Sequence, residues 1–532
     1  MQVADELHDK LRSLMQNKQW RMENMYLILD ENGKTIPLQL RGEQETFLRE
    51  RHQRNFVPKA RKLGMSTIIL LDSMDSCIWN ANYQAGHVDL SEKDAFDKLS
   101  IAKFAWENGP DHPNPEIAAC WRLLHKANPL VKDSAGVNEW ANGAKQTAGV
   151  SYTGKTPQRL HISEYGPISC QFPLKATRMK QGSMNAVPPD GILDIETTME
   201  GGRFGECYAI FKMALEASGY ESLSKMDWKM HFFPWWNHPS YDLPGHKPNN
   251  SETKAYFDKL KAEHQLFIPA SRQAWYEKKK AEQGELMWQQ FPSVISECDR
   301  HVAPGQIFTI MTELRSKGRI REFEKEPGAP LYTCWDIGAS DNMAGWMVQP
   351  TRKDINWLEW TAGEGKGAPG VAEVIRAWQS QHGQISMHYV PHDAEQTDKG
   401  SGMTFVEQMV HCGIPRHSIQ VVPRIPDKWV GIGQARQLLP NSWFHSRTDQ
   451  EVKDEVGMEN LPSGVGRLEG YRKKVNQQSG VFNEPVGDIC SHTADALRTF
   501  AEAWARNLVS LDPDAIDSNR KPQVLAGYRG MA

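Results

Sequence analysis

The chain has 532 residues, of which 39% are hydrophobic and 24% are charged, and its formal net charge at pH 7 is −4. This length exceeds what one ordinary core organises, so about two to four domains are expected, with the composition of a soluble globular protein. No apolar run approaches the roughly 18–20 residues of a membrane span, and eight scattered cysteines without a CxxC pair argue against structural zinc and for a reducing cytosol.

The first half of the chain predicts a sheet domain. Residues 1–35 are expected to form a helical lead-in, and their opening, MQVADELHDKLRSLM, has no apolar stretch, so no secretory signal is expected. Between about residues 36 and 215, apolar stretches alternate with helical periodicity and turn signals, which is the pattern of an α/β sheet. Residues 216–325 are rich in Trp, Lys and Pro and predict helices and connecting loops. The first domain is therefore predicted to cover 36–313.

The second half repeats the α/β pattern. The charged stretch LRSKGRIREFEKEPGAP, 314–330, is the predicted linker. A second α/β domain is predicted over 331–510, beginning at LYTCWDIG and closing with the helix DICSHTADALRTFAEAW. The polar tail 511–532 is predicted to be flexible.

The stretch VPKARKLGMSTIILLD, residues 57–72, is related to a phosphate-binding loop, whose usual form is G-x-x-x-x-G-K-[ST] before a helix. Gly64 and the hydroxyls of Ser66 and Thr67 stand where that pattern needs them, whereas Met65 replaces the lysine. Helix N-termini favour phosphate, and a cation upstream in the loop, at Lys59 or Arg61, could serve it. Alone, the stretch is compatible with a nucleotide site or with a basic loop before a helix.

Two polar residues elsewhere favour the nucleotide interpretation. In RLHISEYG, 159–166, an apolar strand ends at Glu164, a position suited to polarise an attacking water. Ser163 stands where a metal-holding Asp is usual, so Mg²⁺ would be held through Ser66 or through water. In LRGEQETFL, Gln44 precedes the loop, and its amide could read the edge of adenine. Each feature alone is also what a surface Glu or Gln would show.

A third polar strand end follows in GILDIETTMEGG, which places Glu196, Thr197 and Thr198 after an apolar strand. These side chains could sense the γ-phosphate and pass its presence to a DNA-binding part. Strand-ending threonines are common, so this motif carries weight only together with the others.

Three carboxylates of the second half are predicted metal ligands. Asp336 ends the strand of CWDIG, Asp393 follows the strand MHYVP, and Asp495 lies on the closing helix. Two strand-end carboxylates facing a helix carboxylate would hold paired divalent metals, which activate water for phosphodiester cleavage. His492 on the same helix is a further candidate contact, and Asp488 is expected to cap the helix.

Together, KARKLGMST, RLHISEYG, IETTMEGG and, more loosely, FFPWWNHPSY resemble the ATPase domain of the large terminase subunit of tailed bacteriophages. The order of the three aspartates resembles the terminase nuclease domain. The resemblance covers residues 36–505 and implies an α/β chain of two domains: a P-loop ATPase domain of RecA/ASCE type and a ribonuclease-H-like nuclease domain. Terminases typically carry the loop lysine early, which accounts for Met65.

The resemblance also implies cofactors and partners. They are ATP, Mg²⁺ or Mn²⁺ at both sites, double-stranded DNA, a portal on a prohead, a small terminase subunit and a ring of five copies. The expected place is the host cytoplasm, with no membrane and outside the mature virion. The arginine finger stays open among Arg159, Arg178 and Arg203. The alternatives are a repair helicase–nuclease, which would need a second RecA-like lobe, and a non-catalytic DNA-binding assembly protein.

Overall fold

The computed structural model describes residues 13–152, 154, 156–203, 205–299, 305–337, 343–363, 367–397, 402–453, 460–475 and 482–512. The chain separates into two compact units, residues 1–301 and residues 302–532. Within the described residues, no helix combines the length and the apolar composition needed to cross a bilayer.

The first unit consists of a large sheet with helices on its faces. Its helices are α1 Lys18–Asn24, α2 Gly42–Glu50, α3 Met65–Trp79, α4 Glu92–Asn108, α5 Pro115–Ala127, α6 Tyr165–Gln171, α7 Pro173–Met179, α8 Glu206–Ala217, α9 Ser251–His264, α10 Ala270–Gln283 and α11 Met287–Gln290. Its strands are β1 Leu27–Leu29, β2 Thr35–Pro37, β3 Arg54–Pro58, β4 Gln84–Val88, β5 Leu130–Ser134, β6 Val137–Trp140, β7 Lys145–Gly149, β8 Arg159–Ser163, β9 Ile192–Thr197 and β10 Lys229–Met230.

Eight of these strands form one sheet in the order β10-β3-β9-β8-β4-β7-β6-β5, and the strands from β10 to β7 run parallel. The strand before the basic loop, β3, is separated from the strand before Glu164, β8, by β9. This is the ASCE arrangement of a P-loop sheet, so the predicted fold class is confirmed for this unit. Because parallel strands end at the same edge, β3, β8 and β9 bring their C-terminal residues together.

Helix α3, which follows the basic loop, is almost entirely buried and carries two buried carboxylates. Asp72 pairs with Arg159 of β8 and also with Lys18 at 2.7 Å, while Asp75 accepts two hydrogen bonds of 2.7 Å from Arg21. Buried charges are tolerated only with such partners. The pairs connect α3 to β8 and to α1, and thereby fix the helix that begins at the loop.

One prediction for the first unit needs correction. The lead-in is not wholly helical, because β1 and β2 pair as an antiparallel hairpin at its end. The reason is the turn sequence Asp-Glu-Asn-Gly between them, in which Asp30 accepts the backbone N–H groups of Asn32 and Lys34. The predicted helices in the Trp-rich region are present as α9, α10 and α11.

The second unit is a smaller α/β body. Its helices are α12 Ile310–Ser316, α13 Gly367–His382, α14 Phe405–His411, α15 Lys428–Leu438, α16 Gly464–Gly470 and α17 Ile489–Ala505. Its strands are β11 Ile320–Arg321, β12 Tyr332–Ile337, β13 Met343–Pro350, β14 Ile355–Gly363, β15 Met387–Pro391, β16 Ile419–Val422, β17 Ser442–His445, β18 Val452–Lys453, β19 Asn460–Leu461, β20 Lys473–Val475 and β21 Phe482–Pro485.

The main sheet of this unit has the order β11-β17-β14-β13-β12-β15-β16. Strands β12, β13 and β14 form an antiparallel meander, and β15 and β16 extend it in parallel on the side of β12. Strand β12 is the middle one of the five strands β14-β13-β12-β15-β16. The rest of the antiparallel meander lies on one side of it and the two parallel strands lie on the other, which is the ribonuclease-H-like topology, as predicted. Helix α17 packs against β12 and β13, with buried Leu497 and Phe500 on that side.

The predicted linker, 314–330, lies within the second unit, downstream of the division between residues 301 and 302. It contains the end of α12 and all of β11, which pairs in parallel with β17. Arg315 explains why so charged a stretch is ordered: its guanidinium pairs with Asp449 at 2.6 Å and with Glu469 at 2.7 Å. The predicted flexible tail, apart from residues 511–512, lies outside the described residues.

Candidate functional site

The basic loop connects β3 to the N-terminus of α3. Gly64 is in the left-handed conformation, with φ of 69°, and a Cβ there would lie 2.6 Å from the side-chain nitrogen of Gln44. Glycine is therefore required on both counts. Ser66 and Thr67 lie in the first turn of α3, where free backbone N–H groups favour an anion.

Gln44 packs against the backbone of this loop. Its side-chain nitrogen donates to the carbonyls of Leu63 and Gly64, each at 3.2 Å, and its oxygen accepts the backbone N–H of Arg41 at 3.1 Å. The side chain is 4% exposed. These contacts hold the loop in shape, and the reading of adenine by Gln44 stays a prediction.

Glu196, at the end of β9, is the centre of the polar cluster. One carboxylate oxygen accepts hydrogen bonds from Ser66 at 2.5 Å and from Ser163 at 2.6 Å, and the other lies 3.0 Å from the ammonium of Lys59. Glu196 is fully buried and Lys59 nearly so. The loop lysine, the loop hydroxyl and two neighbouring strand ends thus converge on one carboxylate.

Two residues of this cluster were missed from the sequence. Lys98 of α4 donates to Ser163 at 2.5 Å and to Asp89 at 2.5 Å. Asp89 directly follows β4, so it is another polar strand end of the kind that pointed to Glu164 and Glu196. The sequence therefore contained a signal for Asp89, whereas the contact from Lys98 depends on how α4 packs on the sheet.

Glu164 follows β8 in the left-handed region, with φ of 54°, which is uncommon for a residue other than glycine. Its backbone N–H donates to the carbonyl of Glu196 at 2.9 Å. Two residues later, the N–H of Gly166 donates to the hydroxyl of Thr197 at 2.8 Å, and a Cβ on Gly166 would lie 2.3 Å from the carbonyl of Thr198. The turn that carries Glu164 is therefore fixed to the end of β9.

The three residues predicted to couple the site, Glu196 and Thr197 of β9 and Thr198 directly after it, contribute differently. Glu196 touches the loop directly, and Thr197 holds the Glu164 turn through Gly166. Thr198 is buried, and its hydroxyl has no hydrogen-bond partner among the residues that the structure describes. A coupling role for these residues stays a prediction.

The Trp-rich segment supports the loop from the other side. The backbone N–H of Ala60 donates to the carbonyl of Phe233 at 3.0 Å. Arg61 donates its backbone N–H to the carbonyl of Gln290 at 3.0 Å and its side chain to the amide oxygen of the same residue. The hydroxyl of Tyr241 donates to the carbonyl of Arg61 at 2.9 Å. These contacts account for the position of FFPWWNHPSY in the fold.

The surroundings of the cluster shift the pKa values of Glu196 and Glu164 in opposite directions. Burial opposes ionisation of Glu196, but Lys59, a hydrogen bond from His161 and Lys98 hold its pKa well below the ordinary value. Burial raises the pKa of Glu164, against the opposing effect of Lys59. The pKa of Glu196 is thus shifted toward the ionised form, while that of Glu164 is shifted toward accepting a proton.

One arginine-finger candidate is fully engaged within the fold. Arg159 is 0% exposed, donates to Asp194 at 2.8 Å and pairs with Asp72. Its role is to connect β8, β9 and α3. Arg203 pairs with Asp299 at 2.9 Å, and Arg178 is exposed on α7.

In the second unit, Asp336 lies at the end of β12 and His492 on α17. The ring nitrogen Nδ1 of His492 lies 2.8 Å from Oδ2 of Asp336. Burial raises the pKa of Asp336, which the hydrogen bond from His492 opposes and the charge of Asp495 increases. Asp488 caps α17, as predicted, by accepting the N–H of Cys490 at 2.9 Å.

Asp495, one turn after His492, is held by two cations. Lys428 of α15 lies 2.9 Å from one carboxylate oxygen, and Arg498 donates to the other at 3.1 Å. Lys428 was not identified from the sequence. It begins a helix after the Asp427 cap, which contains no recognisable catalytic motif.

Asp393 follows β15, the parallel neighbour of β12, and its side chain is 56% exposed. It contacts His392 at 2.9 Å and Gln396 at 2.7 Å. Within the described residues it has no hydrogen bond or ion pair with Asp336 or Asp495, and no three His, Cys, Asp or Glu side chains form a group suited to a metal. The three-aspartate metal site therefore stays a prediction.

Each unit has its own fold: the first is a P-loop sheet with a polar cluster at its strand ends, and the second is a ribonuclease-H-like sheet with Asp336 at the end of β12. Neither a family model nor a curated protein matches the chain. Solved structures do. The large terminase of a thermophilic bacteriophage has 10% identity and a TM-score of 0.30, with 88% of this chain and 99% of that chain covered.

Two single-domain structures match the separate parts. The nuclease domain of the P22 large terminase has 17% identity and a TM-score of 0.28, covering 40% of this chain and 97% of its own. The ATPase domain of the Thermus phage P74-26 large terminase has 13% identity and a TM-score of 0.27, covering 44% and 92%. Other matched structures contain ATP-γ-S or, in a nuclease domain from bacteriophage SPP1, Mn.

Proposed function

We propose that the chain is a large terminase subunit, which hydrolyses ATP to move double-stranded viral DNA into a prohead and cuts that DNA with a divalent metal. The observation that carries the proposal is the convergence of Lys59, Ser66 and Glu196 at the N-terminus of α3, with Glu164 on the adjoining strand end. This set contains an anion site, a hydroxyl, an ammonium and a carboxyl of raised pKa.

In the ATPase reaction, the N–H groups of the first turn of α3 and the ammonium of Lys59 would bind the phosphates. The donor set suits Mg²⁺. The Ser66 oxygen is a hard ligand of the kind that Mg²⁺ prefers, and the carboxylate of Glu196 supports it by accepting the Ser66 proton. When bound, the cation neutralises charge that develops on the phosphates. Glu164 would accept a proton from the attacking water, and its raised pKa suits that role.

In the cleavage reaction, Asp336, Asp393 and Asp495 would hold divalent metal, which when bound activates water and stabilises the leaving oxygen. Asp336 and Asp495 are the better supported, because the charge of Asp495 contributes to the raised pKa of Asp336. Lys428 and Arg498 now compensate Asp495 and would serve to orient its carboxylate. His492 fixes the orientation of Asp336.

The partners follow from the same proposal. Double-stranded DNA is the substrate, a ring of five copies on a portal is the working assembly, a small terminase subunit is the companion, and the host cytoplasm is the place. A basic hairpin supports DNA contact: β20 and β21 pair as a two-stranded sheet, and Arg472 beside them lies 3.8 Å from the helix cap Asp488.

The repair helicase–nuclease is less well supported. Such an enzyme binds its nucleotide between two RecA-like lobes, whereas the second sheet described here has the ribonuclease-H order. The test is to measure DNA-stimulated ATP hydrolysis and Mg²⁺- or Mn²⁺-dependent plasmid cleavage on one preparation of the full chain. Both activities are expected. A chain that binds DNA but neither hydrolyses ATP nor cuts DNA would be the non-catalytic assembly protein.

A further inference from the structure

Ser163 bears on how a metal would be held at the proposed nucleotide site. In P-loop enzymes, an acidic residue at the end of the strand that carries the catalytic glutamate supports the metal together with the loop hydroxyl. Here that position is Ser163, and a serine has no charge with which to compensate a divalent cation. The charge must come from elsewhere if the site binds a metal–nucleotide complex.

We infer that Glu196 supplies this charge from the neighbouring strand β9, and acts as the positioning carboxylate for the metal at the nucleotide site. The inference rests on the proposed ATPase function. The supporting contact is direct: Glu196 accepts the hydroxyl proton of Ser66 at 2.5 Å. It also accepts the hydroxyl proton of Ser163 at 2.6 Å with the same oxygen, so it lies within reach of the position where the usual carboxylate would stand.

The direction of these hydrogen bonds determines what Ser66 can bind. A hydroxyl has one proton and two lone pairs. Because the proton of Ser66 is donated to Glu196, its lone pairs are left to accept, and they can face a cation or a hydrogen-bond donor. The hydroxyl of Ser163 is oriented in the same way, since Lys98 donates to its oxygen.

Lys59 provides the alternative explanation. Its ammonium is 3.0 Å from Glu196, so Glu196 could be only the counter-ion of a buried lysine. A counter-ion needs only its negative charge, so that role predicts unchanged Mn²⁺ binding in Glu196→Asp, which keeps a charge beside Lys59. A positioning carboxylate must also reach Ser66, so that role predicts weaker Mn²⁺ binding in the same variant.

The experiment measures the affinity of the full chain for Mn²⁺ in the presence of saturating ATP-γ-S, by electron paramagnetic resonance. Glu196→Gln removes the charge and should weaken Mn²⁺ binding by about 10–100-fold. Glu196→Asp keeps a charge for Lys59 but withdraws the carboxylate from Ser66 by one methylene, and should also weaken it. Adding Ser163→Asp to Glu196→Gln should restore most of the affinity.

Glu200→Gln is the matched control. It lies four residues further along the same segment, where it accepts a hydrogen bond from Gln171 at 3.4 Å, and should leave Mn²⁺ binding unchanged. If Glu196→Gln does not fold, Glu196→Asp decides the question. Mn²⁺ affinity within twofold of wild type in a folded Glu196 variant would overturn the inference. A wild-type chain that binds no nucleotide would instead overturn the proposed function.

Discussion

Glu196 and Asp393 each lie at or just after the end of a parallel strand, yet Glu196 is fully buried, whereas the side chain of Asp393 is 56% exposed. Glu196 is contacted by a lysine of the loop and by serines of two other elements. Asp393 contacts only near neighbours in sequence among the described residues. The candidate nucleotide site is thus organised by the sheet, which brings distant residues to one edge.

The second site relies more on helices. Asp336 is held by His492 of α17, and Asp495 by Lys428 of α15. A site whose charges are neutralised from helices can exchange those cations for metal without disturbing the sheet. Substitutions of the buried Lys59 or Glu196 at the first site should therefore affect stability and activity together, whereas those at the second site should affect activity with little loss of stability.

The largest effect is expected for Glu164→Gln. Removing the proposed general base should lower ATP hydrolysis by about 10²–10⁴-fold, because positioned proton transfer contributes that much. Nucleotide binding should be unchanged, since the variant keeps the size of the side chain and its strained backbone. Phosphate release and ATP-γ-S titration check this. Turnover within about twofold of wild type would remove Glu164 from the catalytic role.

The next largest effect concerns the second site. Asp336→Asn and Asp495→Asn should each lower metal-dependent plasmid cleavage by about 10–100-fold or more, while ATP hydrolysis survives. Asp393→Asn should do the same if its strand end completes the metal site. Asp354→Asn, on a β-turn beside Trp443, is the control that should still cut. Wild-type cleavage by the Asp393 variant would restrict the site to the other two carboxylates.

A smaller difference is expected between two lysines of the loop. Lys59→Met removes a buried ammonium at the cluster and should weaken ATP-γ-S binding by about tenfold or more, because a charge-assisted hydrogen bond contributes about 1.5–3 kcal/mol. Lys62→Met removes an exposed one and should matter less. Melting temperatures should fall for Lys59→Met only. If Lys62 alone proves essential, the loop register is wrong.

The smallest effect is a pH dependence in the second unit. Burial lowers the pKa of His388 to about 4, and its Nδ1 accepts from Thr333, whose hydroxyl oxygen already accepts from Trp335. As pH falls from about 6.5 to 4, the unfolded chain binds a proton that the folded chain does not, so stability decreases. His388→Asn should reduce this loss. Calorimetry at pH 7.5 and pH 5 checks it, and equal losses in both proteins would contradict it.

The positions of polar residues at strand ends could be predicted from the sequence. Glu164 and Glu196 directly end apolar strands, and parallel strands bring their ends together whatever the rest of the fold does. Lys98 and Lys428 could not be found in this way. Each reaches its carboxylate from a helix, and the direction of a helix side chain depends on tertiary packing.

The fold was predictable to a similar degree. Alternating α/β patterns gave both sheets, but the charged stretch 314–330 is ordered within the second unit because Arg315 has two carboxylate partners far away in sequence. Likewise, the sequence did not reveal that the amide of Gln44 contacts the loop carbonyls of Leu63 and Gly64. Long-range partners of polar residues are what a single sequence does not reveal.

The left-handed backbone at Glu164 has a consequence for engineering. A residue with a Cβ in this region is strained by about 1–3 kcal/mol, and glycine would relieve that strain. Glu164→Gly should therefore be at least as stable as the parent while lacking the carboxyl. A laboratory selection for thermostability would enrich inactive chains at this position, so any such library needs a simultaneous selection for turnover.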